Sequence, residues 1–209
     1  MAVWLIRAGE HGEYEDKFIR EKRVYVTWEY LSEDLKKLAS RSDLTALLTK
    51  KYPDDKPNTI RNWVGQVWPF AHDMQKGDLV ILPIKSQRTI YVGEITGDYI
   101  NEIKGPAPFY HWRSVKWIGE SIPRSNFGQD LLYSFGAFKT ICRIQRNNAE
   151  SRIAAMRANG WKPETISSVA KMPSVASDSD EIITVPDLEE LARDQILPEL
   201  LKPSSRGMV

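Results

Sequence analysis

Residues 58–96 read NTIRNWVGQVWPFAHDMQKGDLVILPIKSQRTIYVGEIT, and the spacing of their apolar positions changes once along the way. Ile60, Trp63, Val64, Val67, Ala71 and Met74 recur at helical intervals, so the first half predicts an amphipathic helix with Asn58 as its N-cap after Pro57. Pro69 predicts a kink there, or a break into two helices, because proline removes a backbone donor and crowds the preceding turn. Lys76-Gly77-Asp78 ends the helix. Residues 79–84 and 89–96 then form two apolar strands around Lys85-Ser86-Gln87-Arg88, a hairpin with a basic tip.

Outward from this unit, residues 3–7 and 23–28 read as strands, with Tyr14, Phe18 and Ile19 at helical spacing between them. Ser32 and Ser42 are candidate N-caps of short helical stretches built on Leu35 and Leu38, then on Leu44, Leu47 and Leu48. Alternation predicts strands over 109–118 and 139–144, separated by a loop or short helix at 125–138. Asn147 or Asn148 caps a last helix that Gly160 stops. Strands outnumber what a helical bundle needs, so the class is α+β, a small twisted or barrel-like sheet flanked by helices. Composition shifts to Ser, Pro and Asp after the last helix. The expected organisation is one domain over 1–157, a linker over 158–186, and a short acidic helix and tail over 187–209.

The net charge of +1 hides an asymmetry. Residues 177–199 hold eight acids against Arg193, so residues 1–176 carry +6. Lys139, Arg143, Arg146, Arg152 and Arg157 face only Glu150 within that basic part, a cluster able to neutralise phosphates or to serve as an ordinary solvated helix face. No apolar run has the roughly 18 residues needed to cross a bilayer, and the N-terminus is too short for a signal peptide, so no membrane partner and a cytoplasmic location are expected. Cys142 lies in an apolar alternation and reads as a buried strand position.

Four stretches carry a family resemblance: residues 3–12 (VWLIRAGEHG), 58–66 (NTIRNWVGQ), 76–83 (KGDLVILP) and 123–134 (PRSNFGQDLLYS). They resemble the N-terminal domain of Mrr-type restriction system proteins over about residues 3–157. Residues 187–196 resemble the segment that in those proteins leads into a nuclease domain. Residues 58–93 are also similar to an EVE domain, with Arg61-Asn62, Gly77-Asp78 and Gly93 at the matching places. EVE domains, with YTH and SRA-like readers, belong to or resemble the PUA-like fold. The resemblance therefore implies a PUA-like (EVE/YTH-like) recognition module for DNA carrying a modified base, and a nuclease domain or subunit as a possible partner.

Such a module needs aromatic faces to stack an extruded base, and polar groups for its edge. Trp28, which closes an early strand before Glu29, resembles the first cage tryptophan of YTH-type readers. Trp63 lies on the amphipathic helix, where it can serve either the core or the base, and Asn62 beside it offers an amide to a base edge or to a neighbouring strand. Trp112 and Trp117 are five residues apart, so on a regular strand they face opposite sides and only one can line a given pocket. Donors for the DNA backbone are Arg7, the tip residues Lys85, Ser86 and Arg88, Arg113 beside Trp112, and Arg124, Ser125, Asn126 and Gln129.

Catalytic signals are weak. Glu15-Asp16-Lys17 lies in a helical pattern without a suitable upstream acid, and Asp98 with Glu102-Ile103-Lys104 sits in a Gly/Pro-bounded loop. Neither has the strand context in which carboxylates hold a catalytic Mg²⁺. His11, His72, His111 and Cys142 are too scattered for a zinc site. No cofactor is expected. An RNA-binding PUA-like module and an endonuclease with an unrecognised centre stay open as alternatives, and the acidic C-terminal helix is a candidate for homodimerisation or for docking a partner.

Overall fold

The computed structural model describes residues 1–137 and 139–164. The expected acidic helix, and the expected linker past residue 164, lie outside them. Eight strands form one strongly curled mixed sheet in the order β2 (Arg23–Val26), β6 (His111–Trp117), β4 (Thr89–Ile95), β3 (Leu79–Ile84), β1 (Val3–Ile6) and β8 (Ile141–Arg143). The two-residue strands β5 (Ile100–Asn101) and β7 (Ile122–Pro123) add to β6 and β4. β1 runs parallel to β3, with Val3 opposite Leu79; the other pairings are antiparallel. The result is an α+β half-barrel.

Helices cover both faces. Trp4, Ile6, Val80, Leu82, Val24, Val26 and Val115 meet α1 (Glu15–Glu21), α2 (Arg41–Lys51) and α3 (Pro57–His72) on one side. Val3, Leu5, Leu79, Ile81, Ile90 and Val92 meet α4 (Gln129–Phe135) and α5 (Ala149–Ala158) on the other. β1 and β3 are buried at every position, which explains why they read as unbroken apolar runs rather than alternations. Gly93 lets β6 pack closely on β4, since a Cβ there would lie 2.5 Å from Val115 Cγ2 and 2.7 Å from Trp117 Cε3.

Several local expectations are corrected. α3 runs uninterrupted through Pro69, so the predicted break is absent. Its N-cap is Lys56 with Pro57 in the first turn, not Asn58: proline's fixed φ suits that turn, where its missing N–H costs nothing. α2 is capped by Ser40, not Ser42. The Ser40 hydroxyl accepts from the Asp43 N–H while the Asp43 carboxylate accepts from the Ser40 N–H. The short 3₁₀ turn Leu35–Lys37 is capped by Asp34, not Ser32. Asn148 occupies the N-cap position of α5 without a side-chain cap bond, and Gly160, at φ +67°, follows its C-terminal end.

The folded unit runs past the expected boundary at 157. Asn126 Nδ2 donates to Trp161 O (2.8 Å), Gly128 N to Glu164 Oε2 (2.7 Å), and Arg152 bridges Asp130 and Glu164 at 2.5 and 2.6 Å. Cys142 is half-buried on the edge strand β8, where burial pushes its thiol up to about 11.

Candidate functional site

The registers place two ends of the sheet. β2 climbs alongside β6 from Arg23 opposite Ser114 to Val26 opposite His111, so it delivers Trp28 at the end where β6 begins. The β3–β4 turn, with Lys85, Ser86 and Arg88, lies at the other end.

At the first end four rings from three segments come together. Trp28 stands edge-to-face on Trp63 of α3, with centroids 6.4 Å apart and planes at 80°. Tyr52, at the C-cap of α2, meets the same Trp63 at 5.0 Å and 73°, and Tyr30 extends the group to Tyr52 at 6.1 Å. Trp28, Tyr52 and Trp63 are half-buried, and Tyr30 is 64% exposed at the rim. The Tyr52 hydroxyl is buried without a hydrogen-bond partner. Burial pushes its pKa up, Glu29 and Asp55 add to that, and the Tyr30 backbone amide opposes it. Sequence reasoning named Trp28 and Trp63 and missed Tyr52 and Tyr30; the available signal was Tyr52 followed by Pro53 at a helix end.

The segment that presents Trp28 and Tyr30 is tied to the sheet by a buried polar network. His111 Nε2 donates to Leu31 O (2.8 Å), which assigns the proton to that nitrogen. His111 Nδ1 is then left to accept from Tyr99 Oη (2.7 Å). Tyr99 Oη in turn accepts from Leu35 N (3.0 Å), and Asn101 Nδ2 donates to Ser32 O (3.1 Å). His72, stacked on Trp68 at 3.7 Å, pairs through Nε2 with Leu35 O (3.0 Å). Leu31 N closes the loop on Trp28 O (3.2 Å). Burial lowers the His111 pKa to about 4, so the ring is neutral near pH 7.

The remaining expected base contacts lie elsewhere. Asn62 accepts from Gln66 Nε2 (3.4 Å), and Gln66, itself buried, accepts from Thr140 N and Ile141 N, so this amide pair secures β8 to α3. Trp112 lies under the Arg23 guanidinium, 3.8 Å from the ring centre, and donates to Glu102 (3.0 Å). Trp117 faces the opposite side of β6, as the five-residue spacing predicts, and packs on Tyr91 at 5.8 Å.

The expected backbone donors divide by burial. Arg7 is buried and donates to Phe135 O (3.1 Å) and Ala137 O (3.3 Å), which fixes the end of α4 to β1. Arg113 is buried and donates to Phe70 O (2.7 Å) and Ala71 O (3.1 Å), which serves the last turn of α3. Arg124 is buried too. The Arg7 and Arg113 guanidinium groups are structural where surface contacts were expected. Buried carbonyls need donors, and a guanidinium supplies several at once. Asn126 holds Trp161, whereas Ser125 and Gln129 are exposed. At the hairpin tip Ser86 and Arg88 are exposed. The tip is also anchored, because Glu15 accepts from Lys85 N (2.6 Å) and Ser86 Oγ (2.9 Å). Within the basic cluster Arg143, Arg152 and Arg157 are ion-paired with Glu150, with Asp130 and Glu164, and with Glu94.

Residues 4–135 match the model of a family described as Domain of unknown function (DUF8426). No curated protein and no solved structure matches the sequence.

Proposed function

The chain belongs to the DUF8426 family, and from that premise we propose that it is a PUA-like recognition module of a modification-dependent restriction system, reading a modified base in DNA. The observation that supports this reading is the convergence of Trp28, Tyr30, Tyr52 and Trp63 at one end of the half-barrel, half-open and held by a dedicated polar network. Trp28, Tyr52 and Trp63 pack against the core on one side and are half-exposed on the other. A base taken out of the stack costs a few kcal/mol, and aromatic contact of about 1–3 kcal/mol per ring recovers it. The basic balance of residues 1–176, with Arg88 and Ser86 exposed at the tip, supplies the weaker, sequence-independent attraction to phosphates.

Fluorescence anisotropy tests this with one duplex prepared unmodified and with N6-methyladenine, 5-methylcytosine or 5-hydroxymethylcytosine, and with a structured RNA as competitor. The expected result is at least a tenfold preference for one modified duplex. Trp63→Ala and Trp28→Ala each abolish that preference while the salt-dependent weak binding survives. Equal binding to all four duplexes overturns the reading, and displacement by unmodified RNA moves it to an RNA-binding module.

A further inference from the structure

The excess positive charge of the folded unit is concentrated on one face. Residues 1–164 carry a net +5, and residues 139–164, which supply β8 and α5, hold +4 of it: Lys139, Arg143, Arg146, Arg152, Arg157 and Lys162 against Glu150 and Glu164. Glu94 and Asp130 reach in from β4 and α4, and with them counted the face keeps an excess of two. Arg143, Arg146, Arg157 and Lys162 are exposed. The ion pairs Arg143–Glu150 (3.0 Å) and Arg157–Glu94 (3.2 Å) stand in solvent, where a pair is worth little and its partners are readily exchanged. An open groove of about 360 Å³ lies at the N-terminal end of α5, lined by Arg143, Gln145, Asn148, Ala149, Glu150 and Ser151. The opposite charge follows on the same chain. Gly128 and Arg152 fix Glu164 to this face, and the acidic run, eight carboxylates against Arg193, begins at Asp178. The fourteen residues between span up to about 50 Å when extended, and α5 is only about 15 Å long, so the run reaches any part of the face.

We propose that residues 177–199 dock on the β8–α5 face of their own chain, where their carboxylates stand in for nucleic-acid phosphates and hold the chain in a weakly DNA-binding state. Each exposed pair contributes little, but a tether of this length keeps the segment at an effective concentration of about 1 mM, so several weak pairs suffice. Screening over about 8–10 Å makes the contact salt-sensitive. The proposal goes beyond base reading and needs nothing of the aromatic corner. Its test is anisotropy of the full chain with an unmodified DNA duplex, which reads phosphate binding alone. Glu181→Gln, Asp187→Asn, Glu189→Gln and Glu190→Gln together neutralise the middle of the run. The neutralised chain is expected to bind at least about fivefold tighter at about 50 mM salt and less than about twofold tighter at about 200 mM. Arg146→Gln with Lys162→Gln, both at exposed positions, separates docking from bulk charge. These changes weaken DNA binding little while the acidic run is intact and at least about threefold once it is neutralised. A carbodiimide, which joins a carboxylate to an amine as an amide and itself takes up the water, is expected to link residues 177–199 to Lys139 or Lys162 within one chain. Equal affinity of the native and neutralised chains, or no binding by either, overturns the proposal, as does independence of the two sets of changes. Cross-links formed only between isotope-labelled and unlabelled chains give the face to a second copy and overturn the intramolecular docking. Equal binding of modified and unmodified duplexes, which overturns base reading, leaves each of these results standing.

Discussion

At the scale of single residues, His111 has its whole side chain out of water and both ring nitrogens committed, so it can be charged only by protonating Nδ1, which costs the bond accepted from the Tyr99 hydroxyl, while Nε2 goes on donating to Leu31 O. Its pKa is lowered from 6.5 to about 4 by burial, whereas the unfolded chain protonates near 6.5. A depressed folded-state pKa means the contribution is intact above 6.5 and is lost as pH falls from 6.5 toward 4. Urea unfolding at pH 7.5, 5.5 and 4.5 is expected to show a fall of about 3 kcal/mol attributable to this group, largely removed in His111→Gln. Tyr52 gives an opposite test. Its buried hydroxyl meets at most the Tyr30 backbone amide, outside normal hydrogen-bond geometry, so Tyr52→Phe is expected to leave the melting temperature nearly unchanged. At this scale the sequence was partly transparent. Trp28 and Trp63 were legible as ring donors, but positive charge says nothing of depth, so Arg7, Arg113 and Arg124 read as surface donors. The pattern of β6 did hold the answer for one of them: Arg113 shares the parity of His111 and Val115, and all three face inward.

At the scale of elements, the helices depend on ends that periodicity does not locate. Ser40→Ala removes one half of the reciprocal cap on α2, whose C-terminal end carries Tyr52, and is expected to cost about 1 kcal/mol by urea unfolding. Ser42→Ala, at the position the apolar spacing favoured, is expected to change nothing measurable. The readable signal was the Ser40-to-Asp43 spacing, which meets the capping-box rule where Ser42 does not. In the sheet, Gly93→Ala drives a methyl into Val115 and Trp117, and is expected to cost about 1–3 kcal/mol, as overpacked core positions do. The strands were legible because their apolar content is dense, and α3 because its apolar positions keep one face over sixteen residues. The continuity of α3 through Pro69 was not legible. The penalty of one interior proline is local, and the contacts of Phe70 and Ala71 with Arg113 that hold the last turn come from a strand over forty residues away.

At the scale of the whole molecule, the C-terminal closure follows from one arginine. Arg152 holds Asp130 and Glu164 together, and each carboxyl is kept below its ordinary range by that guanidinium. Arg152→Met is expected to speed exchange of the Glu164 amide, which donates to Asn126 O, while global stability falls by no more than about 1 kcal/mol, since the network is partly open to solvent. The fold class and a twisted or barrel-like sheet were legible from the count of strands, and the order of the strands was not, because register across distant strands leaves no trace in local spacing. That register governs how the chain is finished. Val3–Ile6 leaves the ribosome as four residues destined for full burial, yet Leu79–Ile84 follows only after three helices have been made, and Cys142, opposite Leu5, later still. An apolar strand therefore waits unpaired through much of synthesis. Refolding followed by stopped-flow tryptophan fluorescence is expected to be limited by closing these two long loops rather than by the helices that form between them.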